Sequence, residues 1–376
     1  MTIEVAAVVA YPPQGTPNWR YEPVKLRTVK DHEIQIRMVS TGICHSDIYE
    51  SNIPDRTAGI PYPWIFGHEG AGYVEAIGDG VTHVNIGDPV LLSYDYCHHC
   101  DICRSGQPAY CLEWRSRNRA GENGVFETKD GRDAGGKFFG QSSFASTSLV
   151  QKTSVINVKN LVHSDEELKL LAPLGCGLMT GVGAVLNSAK VQPYDIVMVT
   201  GIGAVGLGAI AAAKVLGCKE IVAVDRVAAR LDVAKEFGAT KVLNTCSPAT
   251  SLVEDVRKLV NNQRISFVIE TTGAPGVIVS ALRAMGWHSK LIQIGIPPSG
   301  AELNIDFQEF FAANKVIQCH CLGDEAPKTL IPKMLAWWRD GKLPVEKIVK
   351  FYPAKDALKA AHEMESGKAI KPVLIW

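Results

Sequence analysis

The stretch DIVMVTGIGAVGLGAI, residues 195–210, predicts a buried strand, a glycine turn and the first turns of a helix. Its glycines Gly201, Gly203 and Gly206 have the G-x-G-x-x-G spacing. In that motif the first glycine makes the tight turn and the second lets backbone amides approach a pyrophosphate. The third allows the helix and strand to pack closely. The spacing alone is a weak signal, but the order strand, glycines, helix predicts a dinucleotide site.

An acidic residue follows at the distance that such a site requires. Asp225 ends the strand-like run IVAVD, about 20 residues beyond the glycines. A carboxylate there suits a ribose 2′-hydroxyl and repels a 2′-phosphate, so we predict NAD rather than NADP. An ordinary exposed aspartate at a strand end is the alternative for Asp225. The adjacent Arg226 is the one feature that favours NADP.

Strand-like and helix-like runs alternate beyond this motif. Strand-like runs at 221–225, 241–244, 267–273 and 290–296 alternate with helical patterns at 207–217, 227–239, 252–262 and 276–285. Alternation of this kind predicts βαβ units and a parallel sheet, and continuous apolar strands are typical of a sheet covered on both faces.

The rest of the chain has a different sequence pattern. Residues 1–170 contain short β-prone runs broken by Gly, Pro and Asp, and the polar, glycine-rich residues 112–136 are predicted to form a long surface loop. The tail after about residue 318 is predicted to pack back on this first domain. Because one core seldom serves more than about 250–300 residues, a chain of 376 residues predicts two domains.

Composition excludes several partners. Lysine plus arginine equals aspartate plus glutamate at 39 each, so no basic excess indicates nucleic acid or an anionic membrane. No run approaches the roughly 20 apolar residues of a membrane helix. The N-terminal MTIEVAAVVA lacks a positive region and carries Glu4, so it predicts a strand rather than a secretion signal, and the location is predicted to be cytoplasmic.

Ten cysteines in such a chain favour metal or redox use over disulfides. Four of them, Cys97, Cys100, Cys103 and Cys111, form the run CHHCDICRSGQPAYC. Four thiolates in a short, turn-rich loop can close a tetrahedral zinc site, which predicts a structural zinc. An iron–sulfur cluster is the alternative. Four further cysteines are predicted to be small buried hydrophobes: Cys218, Cys246, Cys319 and Cys321.

A second, scattered set of possible ligands lies in the glycine-containing motifs TGICHSD, FGHEG and PLGCGLMTG, which carry Cys44, His68 and Cys176. Two cysteines and one histidine leave the fourth zinc position open, as in a catalytic site, although a lone histidine is more often structural. Asp47 could hold the second ring nitrogen of His68. Glu69 could adjust the electrostatics of the metal or form a structural salt bridge.

Several motifs together resemble the zinc-dependent medium-chain dehydrogenase/reductase family over essentially the whole chain. They are GHEGAGYV, the four-cysteine run, GCGLMTG, GIGAVGLGAI and the terminal SGKAIKPVLIW. LSYDYCHHC and FFGQSSFA also resemble the aryl- or benzyl-alcohol dehydrogenase branch. The resemblance implies a GroES-like, β-rich catalytic domain of residues 1–177 and 319–376, with the structural zinc loop at 97–111. It implies an inserted Rossmann NAD-binding domain of residues 178–318.

The resemblance also implies roles for single residues. It implies that Cys44, His68 and Cys176 bind a catalytic zinc and that the 97–111 cysteines bind a second zinc. Ser46 would touch both the substrate and the nicotinamide ribose. Three further residues fall at cofactor-binding positions: His45 and Lys371 at the pyrophosphate, and Arg230 at the adenosine ribose.

One position departs from the family pattern. Members often have a histidine five residues after the first zinc cysteine, which ends a proton relay to solvent, and here that position is Tyr49. A phenol is a poorer proton acceptor than an imidazole at neutral pH, so the relay would end at the ribose hydroxyl or at water.

The activity implied is reversible NAD-linked oxidation of a primary alcohol, aromatic or allylic, to its aldehyde, by a homodimer or homotetramer. Glutathione-dependent formaldehyde oxidation and a non-catalytic cofactor-binding role are the alternatives.

Overall fold

The computed structural model describes residues 2–14, 16–54, 62–246 and 251–376. Its strands are, in chain order, β1 Ile3–Tyr11, β2 Asn18–Leu26, β3 Glu33–Gly42, β4 Trp64–Ile65, β5 Gly70–Ile77, β6 Pro89–Leu92, β7 Glu122–Thr128, β8 Asp133–Gly136, β9 Thr147–Gln151, β10 Val155–Asn157, β11 Ile196–Thr200, β12 Glu220–Asp225, β13 Lys241–Asn244, β14 Phe267–Glu270, β15 Lys290–Gln293, β16 Val316–Cys319, β17 Val349–Pro353 and β18 Lys371–Ile375. Its α-helices are α1 His45–Ser51, α2 Asp101–Arg104, α3 Asp165–Leu171, α4 Gly177–Gly183, α5 Ala204–Val215, α6 Ala228–Phe237, α7 Leu252–Leu259, α8 Pro275–Ala284, α9 Phe307–Ala312, α10 Pro327–Arg339 and α11 Ala357–Glu365.

The chain divides into two compact units. The first contains residues 1–176, 326–335 and 348–376, and the second contains residues 177–325 and 336–347. The sequence places the change of domain at nearly the same point, after residue 177. The structure groups residues 319–325 and 336–347 with the second unit, whereas the sequence prediction assigned the whole tail to the first.

The first unit is built from β-sheet. Strands β1, β2, β7, β8 and β4 close into a barrel, and a second sheet has the order β10-β6-β5-β3-β18-β17, with β9 also paired to β3. The predicted N-terminal strand is confirmed as β1, which pairs along its whole length with β2. The core of the second sheet is aliphatic, with Ile34, Ile36, Val74 and Val90 fully or almost fully buried.

The long surface loop predicted for residues 112–136 is wrong in its second half. That part forms β7 and β8, which complete the barrel. Val125, Phe126 and Ala134 are buried there, in a segment whose other residues are polar or glycine. Only the tertiary pairing with β2 shows that these residues face a core.

The second unit is a parallel sheet of order β13-β12-β11-β14-β15-β16. Numbered along the chain this order is 3-2-1-4-5-6, which is the doubly wound order of dinucleotide-binding folds. The predicted alternation of strands and helices is therefore confirmed. All five residues of β11 are buried, as expected of a central strand covered on both faces.

The prediction that the four remaining cysteines are buried is wrong for two of them. Cys246 and Cys319 are exposed, and Cys218 and Cys321 are half-buried. Cys319 ends β16, which is an edge strand of the sheet, so one side of that strand has no neighbouring strand within the described ranges.

In the part of the chain that the structure describes, no single helix is long and apolar enough to cross a membrane. One bent pair, 165–175 with 177–189, reaches that length and composition only when both parts are taken together.

Candidate active site

In the second sheet of the first unit, the three central strands β5, β3 and β18 bring the scattered motifs to one edge, the one at which β3 ends. Strand β3 ends at Gly42, and β5 and β18 begin opposite it, because both run antiparallel to β3. Cys44 follows the end of β3, Glu69 directly precedes β5, and Lys371 is the first residue of β18. A side chain at Gly42 would lie 2.1 Å from the Glu69 carboxylate, so only glycine leaves room for that carboxylate.

Cys44, His68, Glu69 and Cys176 come together at this edge. One possible ligand atom of each lies within 4.8 Å of those of the others. His68 is buried, and its Nε2 has no hydrogen-bond partner among the residues that the structure describes. A buried nitrogen without a partner is costly, and a metal ion among two thiols and this nitrogen removes that cost. The donor set therefore fits zinc.

Asp47 orients this cluster from behind. Its Oδ1 lies 3.0 Å from His68 Nδ1 and accepts a hydrogen bond from the Gly67 amide. Its Oδ2 accepts from the Cys44 amide at 2.9 Å, where helix α1 begins. One carboxylate thus fixes two of the predicted ligands, and with Nδ1 engaged the free Nε2 is the nitrogen left for a metal.

The electrostatics of the cluster favour a bound cation. The Cys176 thiol, and then His68, hold the pKa of Cys44 well below its usual range despite burial. The contact with Cys44, and then burial, raise the pKa of Cys176. Burial disfavours a charge on His68, but the Asp47 carboxylate raises its pKa well above the usual range. Two buried thiolates repel each other, and a divalent cation between them removes that conflict.

Glu69 and Lys371 form a buried ion pair beside the cluster. Lys371 Nζ donates to both carboxylate oxygens, at 2.9 and 2.8 Å, and to the Ile43 carbonyl at 3.0 Å. Burial raises the pKa of Glu69 to about 7, against the effect of Lys371. The salt-bridge alternative for Glu69 is thus observed. Because these three contacts use the ammonium group of Lys371, its predicted contact with a pyrophosphate remains a prediction.

The four-cysteine loop forms a separate cluster. Cys97, Cys100, Cys103 and Cys111 place their sulfur atoms within 4.8 Å of one another, and the Cys97 and Cys103 sulfurs are 3.8 Å apart. A tetrahedron with Zn–S bonds of about 2.3 Å has an S–S edge of roughly this length. Backbone amides of Cys97, Cys100 and Cys103 donate to sulfurs of the loop, which favours thiolates.

In the second unit, the glycine turn has the geometry that its sequence predicts. Gly201 has a φ of +86°, and a side chain there would lie 2.5 Å from Thr271 Oγ1. A side chain at Gly206 would meet the Gly201 carbonyl at 2.1 Å. A side chain at Gly203 would point into open space, at the N-terminus of the twelve-residue helix α5. An open, side-chain-free position at a helix N-terminus fits a bound phosphate group.

Asp225 lies beside this turn at the end of β12. Its Oδ2 accepts a hydrogen bond from the Ile202 amide at 2.6 Å, and its Oδ1 accepts from the Val227 amide at 2.8 Å. The carboxylate is therefore part of the turn, and not an exposed strand-end group. Arg230 lies on α6, and its buried Nε has no hydrogen-bond partner among the described residues.

The remaining predicted residues lie on or next to α1. Ser46 Oγ is 3.9 Å from Cys44 Sγ, which places the hydroxyl at the cluster. His45 and Tyr49 are exposed on the same helix.

Sequence reasoning missed Gln141, which lies in the loop between β8 and β9 and binds the segment that carries His68. Its side chain is buried, and its amide nitrogen donates to the carbonyls of His68 and Ser93, both at 2.9 Å. Its Oε1 accepts from the Gly70 amide. The only signal in the sequence was the motif FFGQSSFA, which contains this glutamine.

Comparison with known families agrees with this geometry. Residues 30–160 match the alcohol dehydrogenase GroES-like domain, and residues 204–338 match the zinc-binding dehydrogenase domain. The chain is 33% identical to geraniol dehydrogenase of Castellaniella defragrans over 360 residues, which cover 94% of each chain. It is 31% identical to S-(hydroxymethyl)glutathione dehydrogenase of Komagataella pastoris over 363 residues, 94% of this chain and 93% of the relative.

Among solved structures, benzyl alcohol dehydrogenase of Acinetobacter calcoaceticus superposes with a TM-score of 0.89 and 34% identity, covering 99% of each chain. The chain therefore belongs to the zinc-dependent alcohol dehydrogenases of the medium-chain dehydrogenase/reductase family, with a GroES-like and a Rossmann-type domain. It is an alcohol dehydrogenase, and zinc is one of its cofactors. This membership leaves the non-catalytic alternative without support.

Proposed function

We propose that this enzyme catalyses the reversible, NAD-dependent oxidation of an aromatic or allylic primary alcohol to its aldehyde. The observation that carries the proposal is the buried Nε2 of His68, which has no partner in the described part of the chain and lies beside the thiols of Cys44 and Cys176. Three such ligands would leave the fourth zinc position for a substrate. Geraniol is an allylic and benzyl alcohol an aromatic primary alcohol, and relatives with those names match nearly the whole chain.

Different residues of the chain are proposed to bind the zinc and to transfer the proton. Cys44, His68 and Cys176 would hold a zinc ion, which would supply a Lewis acid that makes the substrate hydroxyl more acidic. Ser46 Oγ, at the edge of the cluster, accepts the hydroxyl proton and passes its own proton onward. A nicotinamide held by the second unit would supply the hydride acceptor at its C4, and the carbinol carbon would become the aldehyde carbon. Aldehyde reduction follows the same steps in reverse.

The second unit supplies the cofactor site in this proposal. Gly201, Gly203 and Gly206 form the turn that receives the pyrophosphate, and Asp225 binds the adenosine ribose. His45, Arg230 and Lys371 are proposed as further cofactor contacts, by family resemblance. The 97–111 cysteines are proposed to hold the second zinc, which would order a loop and need not touch the substrate. The cytoplasmic location and the homodimeric or homotetrameric state remain predictions.

A panel of alcohols tests the proposed substrate class. NADH formation would be measured with benzyl alcohol, cinnamyl alcohol, ethanol and S-(hydroxymethyl)glutathione, with the zinc content determined on the same sample. We expect two zinc ions per chain and the highest kcat/KM with benzyl or cinnamyl alcohol. A clear preference for S-(hydroxymethyl)glutathione would favour the second candidate, which the similarity to the Komagataella pastoris enzyme supports.

The coenzyme preference is tested at Asp225. Asp225→Ala removes the proposed acceptor for the ribose hydroxyls, and a hydrogen bond to a charged group contributes about 1.5–3 kcal/mol. We therefore expect the Kd for NADH to rise by roughly 10- to 100-fold and that for NADPH much less. Asp225 also accepts from the Ile202 amide, so damage to the turn would weaken both coenzymes equally. An unchanged NADH-to-NADPH ratio would contradict the ribose role.

A further inference from the structure

The loop at residues 137–142, KFFGQS, has an unusual backbone. Lys137, Phe139 and Ser142 have φ values of +65°, +53° and +52°, and Gly140 has +67°. A positive φ is an outlier for a bulky residue such as phenylalanine and costs roughly 1–2 kcal/mol per residue. Such strain persists only where surrounding contacts hold it, and it is concentrated at functional sites.

Contacts on both sides hold this loop. Ser142 Oγ donates to the Ile65 carbonyl at 2.6 Å and accepts from the Phe138 amide at 2.9 Å. A side chain at Gly140 would lie 2.4 Å from Ser154 Oγ and 2.8 Å from Asp95 Cβ, so the loop passes too close to its neighbours for any other residue. With Gln141 bonded to the His68 carbonyl, the loop is fixed against the segment that carries His68.

The strained conformation places the Phe139 ring on the His68 ring. The two ring centroids are 4.4 Å apart and the planes differ by 22°, which is a stacked arrangement. Trp114 packs edge-on against the same phenyl ring at 5.7 Å and 89°, and the Phe139 residue is only 7% exposed. Phe139 is therefore fixed between the imidazole and a second aromatic ring.

Stacking supplies a constraint that Asp47 cannot. The carboxylate holds one atom of the imidazole, Nδ1, in the plane of the ring. The ring can still tip out of that plane about this contact, and a tip moves Nε2 away from the thiols of Cys44 and Cys176. A flat group against the face of the ring blocks that motion. Outer contacts of this kind orient metal ligands, and their loss costs about 10- to 100-fold in metal affinity or activity.

We propose that Phe139 is a positioning residue of the metal centre. Its ring holds the plane of the His68 imidazole so that Nε2 faces the two thiols before zinc binds. This inference rests on the proposed function, which makes His68 a zinc ligand. The left-handed backbone at Phe139 is the feature that puts the ring in this place.

The experiment is a chelator competition with a chromophoric zinc chelator, which reports both zinc sites of the intact enzyme. We expect Phe139→Leu to release one zinc per chain at roughly 10- to 100-fold lower chelator concentration, and the second zinc as in the wild type. Phe139→Tyr keeps the aromatic face and is expected to retain the wild-type release. The absorption bands of the cobalt-substituted enzyme should change in Phe139→Leu and not in Phe139→Tyr.

Phe126→Leu is the matched control, because it removes another buried ring, from the barrel strand β7. Two outcomes would overturn the inference. In one, Phe139→Leu releases its zinc as the wild type does; in the other, Phe139→Leu and Phe126→Leu weaken both zinc sites to the same extent. If Phe139→Leu does not fold, Phe139→Gly carries the same test, since glycine adopts a positive φ without steric cost. Cys44→Ser separates the two proposals: if it retains both zincs, the proposed metal site itself is wrong.

Discussion

Cys44→Ser is expected to abolish turnover and to leave most of the fold intact. Cys44 lies where α1 begins, and its backbone contact with Asp47 does not involve the thiol. Serine therefore keeps the backbone hydrogen bond and removes one proposed zinc ligand. A Lewis acid contributes several kcal/mol to such a reaction, and each 1.36 kcal/mol is a factor of ten, so we expect kcat/KM to fall by about a thousandfold or more.

Steady-state kinetics, zinc analysis and circular dichroism check this result on one preparation. Cys103→Ser is the matched control, because it removes a proposed zinc ligand from the other cysteine cluster. Both variants should lose one zinc per chain, but Cys103→Ser should mainly lower the thermal unfolding temperature and retain turnover per folded molecule. Near-normal activity of Cys44→Ser would refute the catalytic role of its zinc.

Lys371→Met should be the most destabilising exchange at the sheet edge. It removes the cation from a pair in which the Lys371 and Glu69 side chains are 3% and 0% exposed. Breaking a buried pair leaves an uncompensated charge and costs about 3–5 kcal/mol, whereas replacing both partners is often nearly neutral. We expect the free energy of unfolding, from denaturant titration, to fall by that amount in Lys371→Met. The double variant Lys371→Met/Glu69→Gln should recover most of the loss.

An exposed pair provides the comparison. Lys347 bonds to Glu236 with side chains that are 45% and 48% exposed, and such a pair contributes about 0–1 kcal/mol. Lys347→Met should therefore change the unfolding free energy little. Equal losses of unfolding free energy in Lys347→Met and Lys371→Met would show that the burial of the Lys371–Glu69 pair does not matter to stability.

Much of the second unit was predictable because its signals are local. The glycine turn, Asp225 and the alternation of apolar strands with helices each depend on residues close in sequence, and the observed order of elements agrees. The exposed Cys319 was not predictable, because an apolar run looks alike in a central and in an edge strand. The neighbours of a strand are decided by topology.

The first unit was less predictable because its contacts join distant residues. Residues 122–136 are polar and glycine-rich, and only pairing in the barrel reveals them as β7 and β8. The ion pair between Glu69 and Lys371 joins residues 302 apart in the chain. The sequence motif gives no sign of the left-handed backbone conformation of Phe139 except the glycine that follows it.

By itself, the sequence determined the kinds of donor that this protein has: four clustered cysteines, a scattered Cys-His-Cys set, and a glycine turn followed by an acidic residue. These follow from side-chain chemistry and short spacings, which the chain carries wherever it folds. Only the tertiary structure decided that Cys44, His68 and Cys176 meet, that Lys371 is bonded to Glu69, and that Phe139 covers the imidazole. Those contacts depend on strand register and on strained loops, because register and loop conformation bring together atoms of residues that are far apart in sequence.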